Sequence, residues 1–135
     1  MIPRFRVRSL LSVLLPLAAA AGLIWPPAGQ AAPEAAGLDF FETRVRPVLV
    51  ENCYQCHSAG AEKIGGGLKL DTKEDLEKGG IDGVVVIAGE PDASLLIKAI
   101  RYDDPHLQMP PPKAGAKKLP DTVIADFTQW VKMGA

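Results

Sequence analysis

Apolar residues recur at helical spacing in three stretches of the chain, and each stretch predicts a helix. The three run from about Phe40 to Asn52, Pro91 to Arg101 and Pro120 to Met133. Before the first, Asp39 and Glu42 have the spacing of a capping box, with Asp39 as the N-cap. Pro47 lies inside this helix, lacks a backbone donor and is expected to kink it.

The stretches between these helices are long and irregular. Residues 58–89 allow one short helical turn within 71–80, ended by Gly79 and Gly80. The sequence VVVIAG at 84–89 is strand-like in composition, but no second strand is apparent, so it is interpreted as an extended apolar loop. Residues 102–118 combine proline, glycine and charge without a period, which indicates a loop. Loops of this length need a functional reason, and a large buried ligand would supply one.

The N-terminal segment has a different character. Three arginines, Arg4, Arg6 and Arg8, precede an apolar run from about Leu10 to Trp25, and small residues follow around Ala31. This pattern is typical of a secretory signal, so residues 1–31 are predicted to be a signal peptide, or else an uncleaved anchor. Residues 32–38 are expected to form a flexible leader, and residues 39–135 one domain. Both interpretations place the domain outside the cytoplasm, in the periplasm or attached to the membrane facing it.

Charge excludes one class of partner. The chain has 15 basic and 16 acidic residues, and three of the basic ones lie in the N-terminal segment. The remainder therefore has 12 basic and 16 acidic residues and a net charge of −4. A mildly acidic domain without a basic tract is not expected to bind nucleic acid.

The chain's two cysteines lie in ENCYQCHSAG, which allows four chemistries. A disulfide between Cys53 and Cys56 closes too small a loop to gain much entropy. A thioredoxin-like pair follows a strand, whereas here a helix leads in. Zinc needs four ligands, and the chain offers that number only if Cys53, Cys56, His57 and His106 all bind. Cys56 and His57 are adjacent, so their side chains point in different directions. Cys-x-x-Cys-His is also the attachment motif of c-type haem. On a helical turn both cysteines share a face and can form thioethers, while His57 offers a nitrogen to iron.

A second axial ligand is available in the loop HLQMPPP. Met109 is favoured over His106, because the prolines after it stiffen the loop and His/Met ligation is that of cytochromes c. We expect His57 to donate its other ring N–H to a backbone carbonyl. Six apolar residues are candidates for the wall of a haem pocket: Leu68, Leu70, Ile97, Ile100, Phe127 and Trp130. Ordinary packing between helices explains these residues equally well.

Several separated motifs resemble the planctomycete-type cytochrome c domain, a relative of class I cytochromes c. They are FFETRVRPVLVENCYQCHS, GGLKLDT, VIAGEPDASLLIKAIRY, MPPP and LPDTVIADFTQWVKMGA, in family order. The resemblance implies an all-α, cytochrome c-like fold whose helices and long loops wrap one covalent haem c. It also implies Cys53 and Cys56 as thioether anchors and His57 and Met109 as axial ligands.

These expectations point to an exported electron carrier that exchanges single electrons with redox partner proteins and is not itself an enzyme. Two alternatives stay open: a haem-based sensor or enzyme in which Met109 is displaced, and a module of a larger secreted assembly. Lysines that could orient a partner are Lys63, Lys113, Lys117 and Lys118, although ordinary solvated lysines explain them equally well.

Overall fold

A computed structural model describes residues 31–112 and 115–135 of the chain. Within these residues the structure is helical and contains no β-strand, which confirms the all-α class. None of the described helices is long and apolar enough to cross a membrane. The predicted signal segment lies outside the described residues, apart from Ala31. The helices are α1 (Ala31–Phe40), a π-helical turn (Phe41–Val45), α2 (Arg46–Asn52), α3 (Lys73–Lys78), α4 (Leu95–Arg101) and α5 (Asp121–Lys132).

The first helical segment begins earlier than the sequence indicated. Residues 32–38, expected to be a flexible leader, belong to α1, which continues through the π-helical turn into α2. Four alanines in α1 favour this conformation, and Pro33 lies in the first turn, where its missing N–H is not needed. Asp39 is therefore inside a helix and does not cap one; its carbonyl accepts the hydroxyl of Thr43.

The π-helical turn explains how the helix accommodates Pro47. The N–H of Arg46 donates to the carbonyl of Phe41, five residues back, instead of the usual four. Proline lacks a donor, and its ring crowds the carbonyl four residues before it, so a wider turn just ahead of Pro47 relieves the conflict. The expected irregularity thus takes the form of a local widening, and Pro47 occupies the first turn of α2.

A single core joins the helices. The aromatic ring of Trp130 in α5 lies 5.3 Å, centroid to centroid, from Phe41 and 6.3 Å, edge-on, from Phe127. Val45 and Leu49 contribute from the first helix and are at most 1% exposed. The predicted apolar stripes lie on the buried faces of α4 and α5, whose buried residues are Leu96, Ile97, Ala99, Ile100, Ile124, Phe127, Trp130 and Val131.

Two irregular segments are fixed by specific contacts. Gly79 ends α3 with φ of 73°, and a Cβ there would lie 2.1 Å from the carbonyl oxygen of Gly83, so only glycine fits. Residues 84–87 are an irregular segment, residues 88–89 form a turn, and the segment has no strand partner among the described residues. Its backbone bonds instead to neighbouring helices: Leu96 donates to the Val85 carbonyl, and Gly89 donates to that of Val131.

Helix α4 begins at Leu95, four residues after the predicted start at Pro91. Residues 91–93 form a turn, and Ser94, between this turn and α4, is fully buried. The Ser94 hydroxyl accepts from the N–H of Ile87 at 2.9 Å and donates to the carbonyl of Glu90 at 2.9 Å. The hydroxyl is therefore engaged with the preceding loop and does not cap α4.

Candidate cofactor site

The Cys-Tyr-Gln-Cys-His segment forms one helical turn that continues from the end of α2. The N–H groups of Cys56 and His57 both donate to the carbonyl of Cys53, at 3.0 and 2.8 Å, and the N–H of Cys53 donates to that of Leu49. Residues 53 and 56 are thus one turn apart, as the sequence predicted. The segment leaves the turn as a loop, without the strand-first order of a thioredoxin motif.

The two cysteines differ in environment. Cys53 packs against the core, and burial raises the pKa of its thiol to about 11. Cys56 is exposed and lines a surface cavity of about 460 Å³ together with Lys63. The two thiols are not joined in a disulfide. In the part of the chain that the structure describes, no three histidine, cysteine or acidic side chains cluster as a metal site, which weighs against zinc.

The His57 ring is oriented by the backbone of the following loop. Its Nδ1 lies 3.2 Å from the carbonyl oxygen of Leu68. A carbonyl can only accept, so Nδ1 carries the proton and Nε2 is the nitrogen with a lone pair. The loop is held against the motif by two further bonds: Leu70 donates to the His57 carbonyl at 2.9 Å, and Gly65 donates to that of Cys56 at 2.9 Å. The expected carbonyl partner of His57 is therefore Leu68.

A glycine turn, Gly65–Gly67, gives the imidazole its space. A Cβ on Gly65 would lie 3.2 Å from Cε1 of His57, closer than ordinary contact. The turn is closed by a hydrogen bond of 2.8 Å from Ile81 to the carbonyl of Gly66. Ile81 itself is 84% exposed, a large apolar side chain on the loop that faces the histidine's glycine turn. Sequence reasoning missed Ile81, and the GGG run next to a histidine was the available signal for this turn.

The backbone of Met109 is tied to the end of α4. Its N–H donates to the carbonyl of Ala99 at 3.1 Å, and the side chain is half-buried. The next residue, Pro110, is buried, and its carbonyl accepts the hydroxyl of Tyr102. The structure describes no hydrogen bond between Met109 and the motif turn.

His106, the other candidate for the sixth ligand, lies on an exposed turn. Its N–H donates to the carboxylate of Asp104 at 2.8 Å, and its side chain is exposed. Met133, the third methionine of the chain, is 41% exposed and lies close to Gly37 of α1. The backbone N–H groups of Met109 and Met133 both donate to helix carbonyls, whereas that of His106 is bonded within its own turn.

Most of the predicted wall residues belong to the protein's own core. Five are at most 5% exposed, and helix packing accounts for their burial: Leu70, Ile97, Ile100, Phe127 and Trp130. Leu68 is half-buried, beside the carbonyl that receives His57. A larger cavity of about 590 Å³ lies between α1, α5 and the segment 70–76, which includes the start of α3, and its lining contains none of the four predicted site residues.

Tyr54, the first residue between the two cysteines, has an unusual environment. Its hydroxyl is buried without a partner among the described residues, as is one carboxylate oxygen of Asp71. Burial raises the pKa of the phenol, and nearby Arg46 partly opposes this. The hydroxyl of Tyr54 therefore supports neither the motif turn nor the loop that carries Met109.

The residues of the motif fit a covalently attached haem. Two thiols lie one helical turn apart, and the adjacent histidine has a fixed tautomer and a glycine cradle. Such a group would be held by Cys53 and Cys56 through thioethers and by Nε2 of His57, and it would supply one-electron redox chemistry. Nδ1 bonded to a carbonyl is also the orientation that metal-binding histidines require.

Comparison with known proteins agrees with this geometry. Residues 53–113 match the family described as Planctomycete cytochrome C, and this segment contains all four predicted site residues. No curated protein and no solved structure matched the chain. A domain of this family implies haem c, and the cysteine spacing is consistent with its attachment. This match confirms, over residues 53–113, the resemblance found in the sequence.

Proposed function

We propose that the protein is an exported, mono-haem electron carrier whose haem c is attached at Cys53 and Cys56 and ligated by His57 and Met109. The observation that carries the proposal is the hydrogen bond from Nδ1 of His57 to the Leu68 carbonyl. It leaves Nε2 as the only ring nitrogen able to bind iron and fixes the plane of the ring.

Met109 is proposed as the sixth ligand because its backbone is tied to α4 while its side chain is only half-buried. Sulfur opposite imidazole favours the reduced state and raises the potential. With both axial positions filled, the site would exchange electrons and bind no substrate. His106 is less suitable because it lies on an exposed turn whose contacts stay within 104–107.

Electrons would enter and leave near the exposed Cys56, where Lys63 provides a nearby positive charge. Redox partners form small, transient interfaces, which suits a surface of this limited extent. Lys117 is also exposed, whereas Lys118 pairs with Asp121 at 3.2 Å and Lys113 lies outside the described residues. The proposed partner is a redox protein with an acidic docking surface.

The test is to produce the full chain with haem-maturation machinery and to record optical spectra of both oxidation states. The wild type should hold one covalent haem and show a weak near-infrared sulfur-to-iron band. Met109→Ala should lose that band, whereas His106→Ala and the matched control Met133→Ala should retain it.

Three outcomes would contradict the proposal. Covalent haem that survives replacement of both cysteines would reject the attachment site, and a band retained by Met109→Ala would reject Met109 as the sixth ligand. Rapid carbon monoxide binding by the reduced wild type at neutral pH would reject a pure electron carrier.

A further inference from the structure

Tyr102 has a backbone conformation that its side chain disfavours. It follows α4 with φ of 65° and ψ of 30°, in the left-handed region. Within 31–112 and 115–135, the only other non-glycine residue with positive φ is Ala135. Glycine or asparagine normally occupies this position after a helix, because a bulky side chain is strained there. A strained tyrosine at such a position indicates that its side chain has a specific task.

The contacts of Tyr102 show what the side chain does. Its N–H donates to the carbonyl of Ala99 at 3.2 Å, and the same carbonyl accepts the N–H of Met109 at 3.1 Å. Its hydroxyl donates to the carbonyl of Pro110. The peptide unit before Met109 is therefore fixed to the end of α4 by Ala99, and the peptide unit after Pro110 is fixed to it by the phenol. Tyr102 makes its bonds to Ala99 and to Pro110 while its backbone is in the left-handed conformation.

We propose that Tyr102 is a positioning residue for Met109, holding the methionine segment closed through the bond from its phenol to the Pro110 carbonyl. This inference rests on the proposed function, in which Met109 sulfur is the sixth ligand. Residues 103–106, between Tyr102 and Met109, are exposed and are not helical, so they contribute little to holding the methionine segment in place. Without the phenol, a single backbone bond to Ala99 would hold Met109. A thioether is a weak ligand, so its occupancy depends on how firmly its backbone is placed.

The test compares Tyr102→Phe with Thr43→Val in the haem-loaded, full-length protein. Tyr102→Phe removes one hydroxyl and keeps both the ring and the backbone strain. Thr43→Val is the control, because it also removes one hydroxyl that donates to a backbone carbonyl, that of Asp39, outside the motif turn and the methionine segment. The measurements are the intensity of the near-infrared sulfur-to-iron band, the affinity of the ferric protein for added imidazole, and hydrogen exchange of the Met109 amide.

Tyr102→Phe should bind imidazole about fivefold more tightly, the factor that corresponds to one lost hydrogen bond. The reason is that imidazole binds only when Met109 is displaced, and the lost bond raises the displaced fraction. The Met109 amide should exchange faster by a similar factor and the sulfur-to-iron band should weaken, whereas Thr43→Val should match the wild type in all three measurements.

Two outcomes separate this inference from the proposal beneath it. If Met109→Ala loses the band but Tyr102→Phe matches the wild type, Met109 is the ligand and the positioning role is rejected. If the wild type lacks the band, the ligand assignment is rejected and the inference with it. Should Tyr102→Phe fail to fold, Tyr102→Gly relieves the backbone strain without restoring the phenol. Wild-type imidazole affinity in that variant would overturn the inference.

Discussion

Replacing Gly65 by alanine tests whether the glycine turn sets the position of the proposed iron ligand. The added Cβ would lie 3.2 Å from Cε1 and 3.7 Å from Nδ1 of His57. Ordinary contacts begin at 3.4 Å, so the ring or the turn must move by about 0.2 Å or more. Gly65 does not have positive φ, so the alanine backbone itself is tolerated and the perturbation is confined to this contact.

The hydrogen bond from His57 to the Leu68 carbonyl has little room for such a shift. At 3.2 Å it is already at the long end of the range for an N–H donor. Its loss would cost about 1 kcal/mol of unfolding free energy. Gly60→Ala is the matched control, since its nearest contact would be 3.9 Å and a compatible alanine stabilises by about 0.4–1 kcal/mol. Both variants have this gain in common, so they should differ by about 1 kcal/mol, the cost of the lost hydrogen bond.

The assays are denaturant unfolding and potentiometric titration of the haem-loaded protein. A weaker bond at Nδ1 makes the imidazole less basic, which favours the reduced iron and should raise the midpoint potential. The rise should stay within about 40 mV, which is 1 kcal/mol for one electron. Equal stability and equal potential in Gly65→Ala and Gly60→Ala would refute the reasoning, because it would show that the contact with His57 places no constraint on the ring.

Two further predictions concern stability. Ser94→Ala should lower the unfolding free energy by about 1–3 kcal/mol, because it leaves the N–H of Ile87 without its partner; a urea titration showing no change would contradict this. The bond from Lys69 to Asp75 at 2.7 Å, aided by Thr72, holds the pKa of the Asp75 carboxylate below its usual value of 3.8. A depressed acid stabilises the fold above its unfolded pKa and loses that contribution as pH falls through the lower folded pKa. The stability advantage of the wild type over Asp75→Asn should therefore shrink between pH 4 and pH 2, and a constant difference across this range would contradict the role of the pair.

Local patterns predicted the helices well where one face carried the signal. The stripes of α4 and α5 are buried as expected, because the same spacing that marks a helix also marks the side that packs. The first helix was predicted too short, since α1 lacks an apolar stripe and depends on alanine propensity. Asp39 resembled a cap only because the apolar stripe of the predicted first helix begins beside it.

The site was only partly predictable. The helical turn from Cys53 to His57 follows from spacing within five residues, and the structure has it. The choice of Leu68 as the carbonyl partner of His57 depends on how three glycines turn the chain, which no periodicity encodes. The contact between Tyr102 and Pro110 was missed for the same reason, because it arises from an unfavourable φ that sequence rules assign to glycine.

The buried Ser94 has a consequence for self-association. The segment it holds, VVVI at 84–87, has the branched, uncharged composition that pairs readily with copies of itself. An extended segment without a strand neighbour normally presents free backbone groups that invite such pairing. Here the N–H of Ile87 donates to the Ser94 hydroxyl, and the N–H of Gly89 donates to the carbonyl of Val131. The carbonyl of Val85 accepts the N–H of Leu96. A single serine hydroxyl and the ends of two helices thus act as a substitute for a neighbouring strand and protect the chain from intermolecular β-sheet formation.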